Sequence, residues 1–253
     1  MKVYDANNYT NSFMHQVQIA YKGNTNAPAP GADPFQKYLA IANRLKNVWA
    51  QDADILWNSL FDTREYGPVQ AANQEYDLDS DVFFVSDGVS IVRLDGNIDW
   101  FRVVQPKARN DESSSRPDHG IGMSGGDFGM PLVYIKGSSA NQGSNLTLVF
   151  VDPFPATSLD VGGTISVGVY ILPDDLKNSS DIVVVDDPYW LVYATASELA
   201  RNDPAKQDQV PNLSGLANAA YGKMITLNQG NSFEQPNGPR YMLRQPGVTW
   251  EQF

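Results

Sequence analysis

Between Asp186 and Leu227 the chain reads DDPYWLVYATASELARNDPAKQDQVPNLSGLANAAYGKMITL, and no other segment limits the fold as strongly. Asp187 offers a carboxylate to cap a helix. Pro188 follows at the first helical position, where a missing N–H costs nothing. Tyr189, Val192, Tyr193, Ala196, Leu199 and Ala200 then recur at three- and four-residue intervals. Leu213, Leu216, Ala217, Ala220, Tyr221, Met224 and Leu227 form a second stripe of the same period. The polar connector 202–212, punctuated by Pro204 and Pro211, separates them. The pattern predicts a helical hairpin whose apolar faces need a partner, with Ala194, Ala196, Ala217, Ala219 and Ala220 allowing close helix approach.

The partner is supplied earlier in the chain. Asp33-Pro34 repeats the cap-and-proline start, and Phe35, Tyr38, Leu39, Ala42, Leu45 and Trp49 follow on one face, with Lys37, Arg44 and Lys46 off it. A shorter helix through Tyr21, capped by Thr10 or Asn11, carries Phe13, Met14, Val17 and Tyr21. The Pro/Gly/Asn segment 23–31 links the two. Asp52 caps a further turn or two through Ile55, Leu56, Leu60 and Phe61, or the helix runs straight on.

From Gly67 the period changes to two. Val82–Val85 is a short apolar run, and Val89–Leu94 and Ile98–Val104 flank Asp95-Gly96-Asn97, a turn signal that predicts a β-hairpin. The glycine-rich segment Pro106–Met130 reads as a loop. Strands are expected again at Leu132–Ile135, Leu146–Val151 and Thr164–Leu172, with Ile182–Val185 one more short candidate. After Gln229 the helical period is lost, and large apolar residues stand in an extended tail, where water is costly for them. The expected fold is therefore α+β: a helical bundle built from N- and C-terminal segments, with an inserted antiparallel β domain and an extended C-terminal tail. Its expected units are 1–66 (helices and linker), 67–185 (β insertion), 186–229 (helical hairpin) and 230–253 (tail).

Composition narrows function. The chain has no cysteine, so thiolate chemistry is closed to it, and only two histidines, His15 and His119. A net charge of −11 weighs against wrapping nucleic acid, which needs phosphate-neutralising cations. It suits a soluble surface, or a passage that DNA slides through without sticking. The first residues lack the apolar run of a signal peptide, and no run spans a bilayer, so the expectation is a soluble chain made in a cytoplasm.

The chemical motifs fail on context. Gly120-Ile-Gly122-Met-Ser-Gly125 spells a dinucleotide fingerprint, but SRPDH precedes it and is no strand. Gly122-Met-Ser124-Gly-Gly126 matches a nucleophile elbow, yet both histidines precede Ser124, the reverse of the order that fold requires. Asp77, Asp79 and Asp81 begin like a calcium loop, but Val82 and Gly88 stand where the loop needs Gly and Glu. An opportunistic cation among these aspartates is left open. Asp174-Asp175 and Asp186-Asp187 read as turn and cap residues rather than an acid–base pair. No cofactor is expected, and no enzymatic activity.

Three passages carry a family likeness: Ile41–Phe61, ending in a Trp-rich turn; the strand TISVGVYILP ending at Pro173; and VDDPYWLVYATASELARND at 185–203 with the helix ending near Lys223-Met-Ile-Thr. Over about residues 33 to 229 this order resembles the head–tail adaptor (connector, or neck) proteins of tailed bacteriophages. The resemblance implies a virion protein at the head–tail junction, twelve copies in a ring below the portal around the DNA channel. Portal and tail or nozzle proteins would be its partners, with no sequence-specific nucleic-acid binding and no membrane. It also implies C-terminal arms that reach neighbouring components, with Tyr241, Trp250 and Phe253 as the candidate protein-interface residues. Alternatives are another virion component, for tail completion or on the capsid, and a carbohydrate-binding or carbohydrate-active protein using Trp100, Trp190 and Trp250 with aspartate pairs.

Overall fold

A computed structural model describes residues 1–52, 55–104, 131–137 and 146–231. The loop Pro106–Met130 with both glycine motifs, and the tail with Tyr241, Trp250 and Phe253, lie outside the described residues. The order of elements is α1 (Phe13–Lys22), α2 (Asp33–Ala50), β1 (Phe61–Tyr66), β2 (Glu75–Asp77), β3 (Val82–Val92), β4 (Ile98–Val104), β5 (Leu132–Lys136), β6 (Thr147–Phe150), β7 (Thr164–Ile171), α3 (Pro188–Arg201) and α4 (Val210–Asn231). The fold is α+β, with N-terminal helices, one curled sheet formed by the middle of the chain, and C-terminal helices.

The sheet runs β1-β7-β3-β4-β5-β6-β2. Every pairing is antiparallel except β4 with β5, which run parallel. Parallel neighbours need a long crossover, and the chain places residues 105–131 between these two. Strand order has no signature in local periodicity, so the sequence pattern pointed only to antiparallel pairing. The sheet also starts before Gly67: Phe61–Tyr66 is strand β1, not a continuation of the helix. Val82–Val85 and Val89–Val92 are one strand, interrupted by irregular register against β7. At that irregularity Ser86 donates to the Gly168 carbonyl at 3.0 Å, and a Cβ on Gly168 would sit 2.3 Å from the Ser86 hydroxyl, so a larger residue there would displace Ser86 from this bond. The Asp95-Gly96-Asn97 turn forms as expected, with Gly96 at φ +83° and Arg93 N–H bonded to the Asn97 carbonyl. One face of the sheet buries Val82, Val89, Ile91, Phe101, Val133, Leu148, Phe150, Ile165, Val167 and Val169.

A second core lies among the helices. α3 is its centre: it packs against α1, α2 and α4, burying Leu191, Val192, Ala196, Leu199 and Ala200. Sequence spacing offered α2 as the hairpin's partner, and α1 shares that role through Phe13, Met14, Val17 and Tyr21. Capping follows different rules at each start. Asp187 caps α3, accepting the Tyr189 N–H at 3.0 Å. Asp33 makes no such bond, because α2 begins one residue earlier than expected, with Ala32 at the cap position; its carboxylate lies in the first turn, favourable to the helix dipole. Neither Thr10 nor Asn11 caps α1. Its first N–H groups, of Phe13 and Met14, are satisfied by the carbonyls of Lys2 and Val3. That N-terminal arm also meets residues 179–183, so Ile182 contributes a single bridge and not a strand.

Candidate functional site

The helical hairpin is fixed from the inside by polar latches. The Tyr221 hydroxyl on α4 donates to Asp52, which therefore ties α2's end to α4 instead of starting another helical turn. Burial and that carboxylate push the Tyr221 phenol well above its usual range. Asn58 and Asn228 clasp each other through Asn58 N–H to Asn228 Oδ1 (2.8 Å) and Asn58 Nδ2 to the Asn228 carbonyl (3.1 Å). Asn228 Nδ2 donates in turn to the Leu56 carbonyl at 2.9 Å. Trp57 is fully buried in this joint, 5.3 Å from the Trp49 ring and 5.7 Å from that of Tyr221, and its indole N–H bonds the Trp49 carbonyl at 2.8 Å. At the other end Tyr21 donates to Asp203 at 2.7 Å, its phenol raised to about 12 by burial and by this carboxylate.

The outer side of α4 is different. Leu213, Ala217 and Met224 are buried, but Leu216 and Leu227 are 41% and 54% exposed. The spacing that put all of them on one stripe was correct, but the stripe is wider than the groove on α3. Val210–Asn231 contains no Asp or Glu and one cation, Lys223, whose Nζ lies 3.9 Å from Asp187 with most of its side chain in solvent. Gly215 and Gly222 have open space around them. A solvent-facing helix ordinarily carries charge on that side.

A second apolar surface lies on the β3–β4 hairpin. The register pairs Val92 with Ile98 and Ser90 with Trp100, so Val92, Ile98 and Trp100 share the face opposite the buried one. All three are exposed, and Leu94 at the turn is 82% exposed. The hairpin is held firm from its other face. Arg93 bonds Asp160 at 2.9 Å and also Asp99, joining β4 to the loop before β7. Burial raises the Asp99 pKa, with Asp160 beside it; hydrogen bonds from Asp99, Arg93 and Ser158 outweigh burial to lower that of Asp160.

The remaining candidates separate under the geometry. Asp77, Asp79 and Asp81 do not converge on a cation. Arg64 of β1 occupies that position, with Nη1 3.2 Å from Asp79, Nη2 3.0 Å from Asp81 and Nε 2.7 Å from Asp62, while Asp77 accepts from the Thr147 hydroxyl. The Arg64 hydrogen bond, with the Thr63 N–H, holds the Asp62 pKa down. The cluster joins β1, one sheet edge, to the turn between β2 and β3. Among the described residues no group of His, Cys, Asp or Glu is arranged to hold a metal. Asp174 and Asp175 serve Lys46, which spacing had set off the apolar face of α2. Its Nζ is wholly buried and donates to the Pro173 carbonyl (2.9 Å) and the Asp174 carbonyl, with the Asp175 carboxylate at 3.5 Å. Lys46 lies four residues after Ala42 and three before Trp49, so its position was legible but its buried partners were not.

His15, which no motif picked out, is buried with Nδ1 2.7 Å from the Ser12 hydroxyl, under the rings of Tyr9 and Tyr4. Ser12 is itself buried and accepts the Asp5 N–H, so the pair is internal and closed to substrate. Of the tryptophans considered for sugar stacking, Trp100 is exposed, Trp190 packs on Tyr221, and Trp250 lies outside the described residues. Shallow notches also lie on the surface of the described residues. One is lined by Tyr66, Gly67, Pro68, Gln70, Asn73, Tyr76 and Asp77, and the other, of about 360 Å³, by Lys22, Lys206, Gln209 and Asn212 among others. No helix among the described residues is long and apolar enough to cross a membrane. Comparison with protein-family models finds no match to this chain, and neither does comparison with curated proteins.

Proposed function

We propose that this chain is a structural subunit of a virion: a head–tail adaptor that forms a ring below the portal and joins capsid to tail around the DNA passage. One observation carries the assembly reading. In a chain of net charge −11, the 22-residue helix α4 turns Leu216 and Leu227 to solvent without one carboxylate along its length. An exposed apolar helix that carries no acid of its own, its one lysine beside Asp187, suits a subunit contact on an otherwise acidic molecule, since like charges would repel a neighbour. The latches to Asp52 and Asn58 hold that face in a fixed orientation, which lowers the ordering cost of binding.

The particular place of the assembly, at the portal with tail or nozzle proteins and with twelve copies, comes from the resemblance in segment order. The acidic balance suits a wall beside DNA. Imaging of the parent particle with this chain labelled is the test. Copies ringed at the head–tail junction, and tail joining lost without the chain, are expected. Label elsewhere on the particle would move the chain to another virion role, and tail joining unaffected by its deletion would overturn the adaptor reading.

A further inference from the structure

The notch between the end of α1 and the start of α4 has a lining unlike the charge of the chain as a whole. Its volume is about 360 Å³. Lys22 lines it from α1, and Lys206, Gln209 and Asn212 line it from the turn before α4 and the first turn of that helix, while Ile19 and Leu213 give it an apolar part. Two ammonium groups and two side-chain amides therefore offer donors to one space, and no carboxylate is among the lining residues. On a chain of net charge −11 that concentration of cations calls for a physical reason. The chain that continues beyond α4 does not start here: from Asn212 to Asn228 the helix runs about 24 Å at about 1.5 Å per residue.

Neither lysine is neutralised by an ion pair. Among the described residues Arg44, Lys46, Arg64, Arg93, Lys136 and Arg201 each pair with a carboxylate, whereas Lys22 and Lys206 pair with none. Neutral groups position them instead. The Lys22 ammonium stands over the Tyr21 ring, 5.5 Å from its centroid. Gln209, with its amide turned to donate to the Tyr21 carbonyl at 3.2 Å, presents its oxygen to Lys206 Nζ at 3.2 Å. Asp203 is the acid that feels both lysines, and its carboxylate is engaged by the Tyr21 hydroxyl at 2.7 Å and the Ala205 N–H at 3.1 Å. One carboxylate beside two ammonium groups leaves the local balance positive.

We propose that this notch binds a small phosphate-bearing molecule, its phosphate held by Lys22, Lys206 and the Asn212 amide and its organic part lying against Ile19 and Leu213. A phosphate monoester carries close to two negative charges at neutral pH and three acceptor oxygens, which match two cations and an amide donor. A monocarboxylate would leave one of the two cations without a counter-charge. The volume falls within the span of small-molecule sites, about 300–1,000 Å³, and leaves room beyond the phosphate for the apolar contacts. This site is independent of the assembly role and is tested apart from it.

The test is amide chemical-shift mapping of the full chain, titrated at constant ionic strength with glycerol phosphate, inorganic phosphate, acetate and chloride. Glycerol phosphate is expected to shift the amides of Gly23, Gln209 and Asn212 saturably, inorganic phosphate to do so more weakly, and acetate and chloride to give no saturable change. Lys22→Gln and Lys206→Gln should each weaken glycerol phosphate several-fold and the double variant should abolish the response. Lys206→Arg, which keeps the charge, should retain most of it. Lys37→Gln, an unpaired lysine outside the notch, should leave it unchanged. Circular dichroism of each variant reads folding separately from binding. Acetate binding as well as glycerol phosphate would show a general anion patch and overturn the phosphate assignment. Saturable shifts that survive the double variant, or that centre on other residues, would place the site elsewhere, and no saturable shift with any probe would show the notch to be an ordinary solvated surface.

Discussion

Trp57 is a large side chain whose removal should cost the fold heavily. Its side chain is fully buried between the end of α2 and α4, and it belongs to the helical core although it precedes a strand. An indole buries about 150–250 Å². At about 25 cal/mol per Å² this is roughly 4–6 kcal/mol, of which an alanine methyl keeps a part. Core tryptophan-to-alanine changes cost about 3–5 kcal/mol, and the bond from Nε1 to the Trp49 carbonyl adds about 1 kcal/mol. Trp57→Ala is therefore expected to lose about 4 kcal/mol, a large share of a domain's roughly 5–15 kcal/mol. Trp57→Phe keeps most of the buried area and loses the hydrogen bond, for about 1–2 kcal/mol. Urea unfolding followed by far-ultraviolet circular dichroism, which does not depend on the indole removed, reads both as falls in midpoint at constant slope. An alanine variant that loses less than about 1 kcal/mol would refute the joint as a packed keystone. So would a phenylalanine variant as damaged as the alanine one, since the area argument requires them to differ.

Three further substitutions probe other links. Lys46→Met keeps the length of the side chain but strands the carbonyls of Pro173 and Asp174. Each stranded group costs about 1–3 kcal/mol, partly offset because burial already lowers the Lys46 pKa and disfavours its charge, so a loss of about 2 kcal/mol in urea is expected. His15 has its pKa lowered below 6.5 by burial, against an opposing pull from Asp5. Its contribution is thus fully present above pH 6.5 and is lost as pH falls through the folded value, at no more than about 1.4 kcal/mol per pH unit. The wild type should accordingly lose stability relative to His15→Gln between pH 6.5 and 5, and parallel pH profiles would contradict the assignment. Arg64→Gln leaves Asp62, Asp79 and Asp81 facing one another without their cation. Calcium should then raise the melting temperature of that variant and not of the wild type, whereas equal responses would show that the guanidinium does not fill the position.

The contrast between Leu213 and Leu216 shows what periodicity reaches and where it stops. Both lie on the apolar stripe of α4, and period alone assigns both to a buried face. One packs against the neighbouring helices, and the other faces solvent. A stripe records that a side chain wants an apolar partner, without recording whether that partner belongs to the same chain. Local signals served well where the cause is local: the Asp187-Pro188 start and the Asp-Gly turn both depend on neighbours within a few residues. Lys46, His15 and Arg64 escaped for the opposite reason. Each is satisfied by groups distant in sequence or by backbone atoms, and a buried lysine has the same one-letter code as an exposed one. The parallel pairing of β4 with β5 is likewise a property of strand order.

The two cores bear on assembly through the joint between them. A ring of subunits, as proposed above, closes only if the parts of each subunit keep a fixed angle to one another. Flexible attachment would spread that angle and yield open, uneven oligomers. The chain instead ties the two parts at separate points. Lys46 and Asn43 of α2 hold residues 173–176 as they leave β7, Asn43 through paired bonds of 2.9 and 2.8 Å to the Leu176 carbonyl and N–H. Phe61, Phe83 and Phe84 gather around Tyr170 where the sheet meets the helices, and burial raises the Tyr170 pKa. These contacts hold the sheet and the bundle to each other within one subunit. A weakening such as Lys46→Met should therefore broaden the distribution of oligomer sizes under conditions where the subunit is still folded, which separates a role in setting the angle from a role in stability alone.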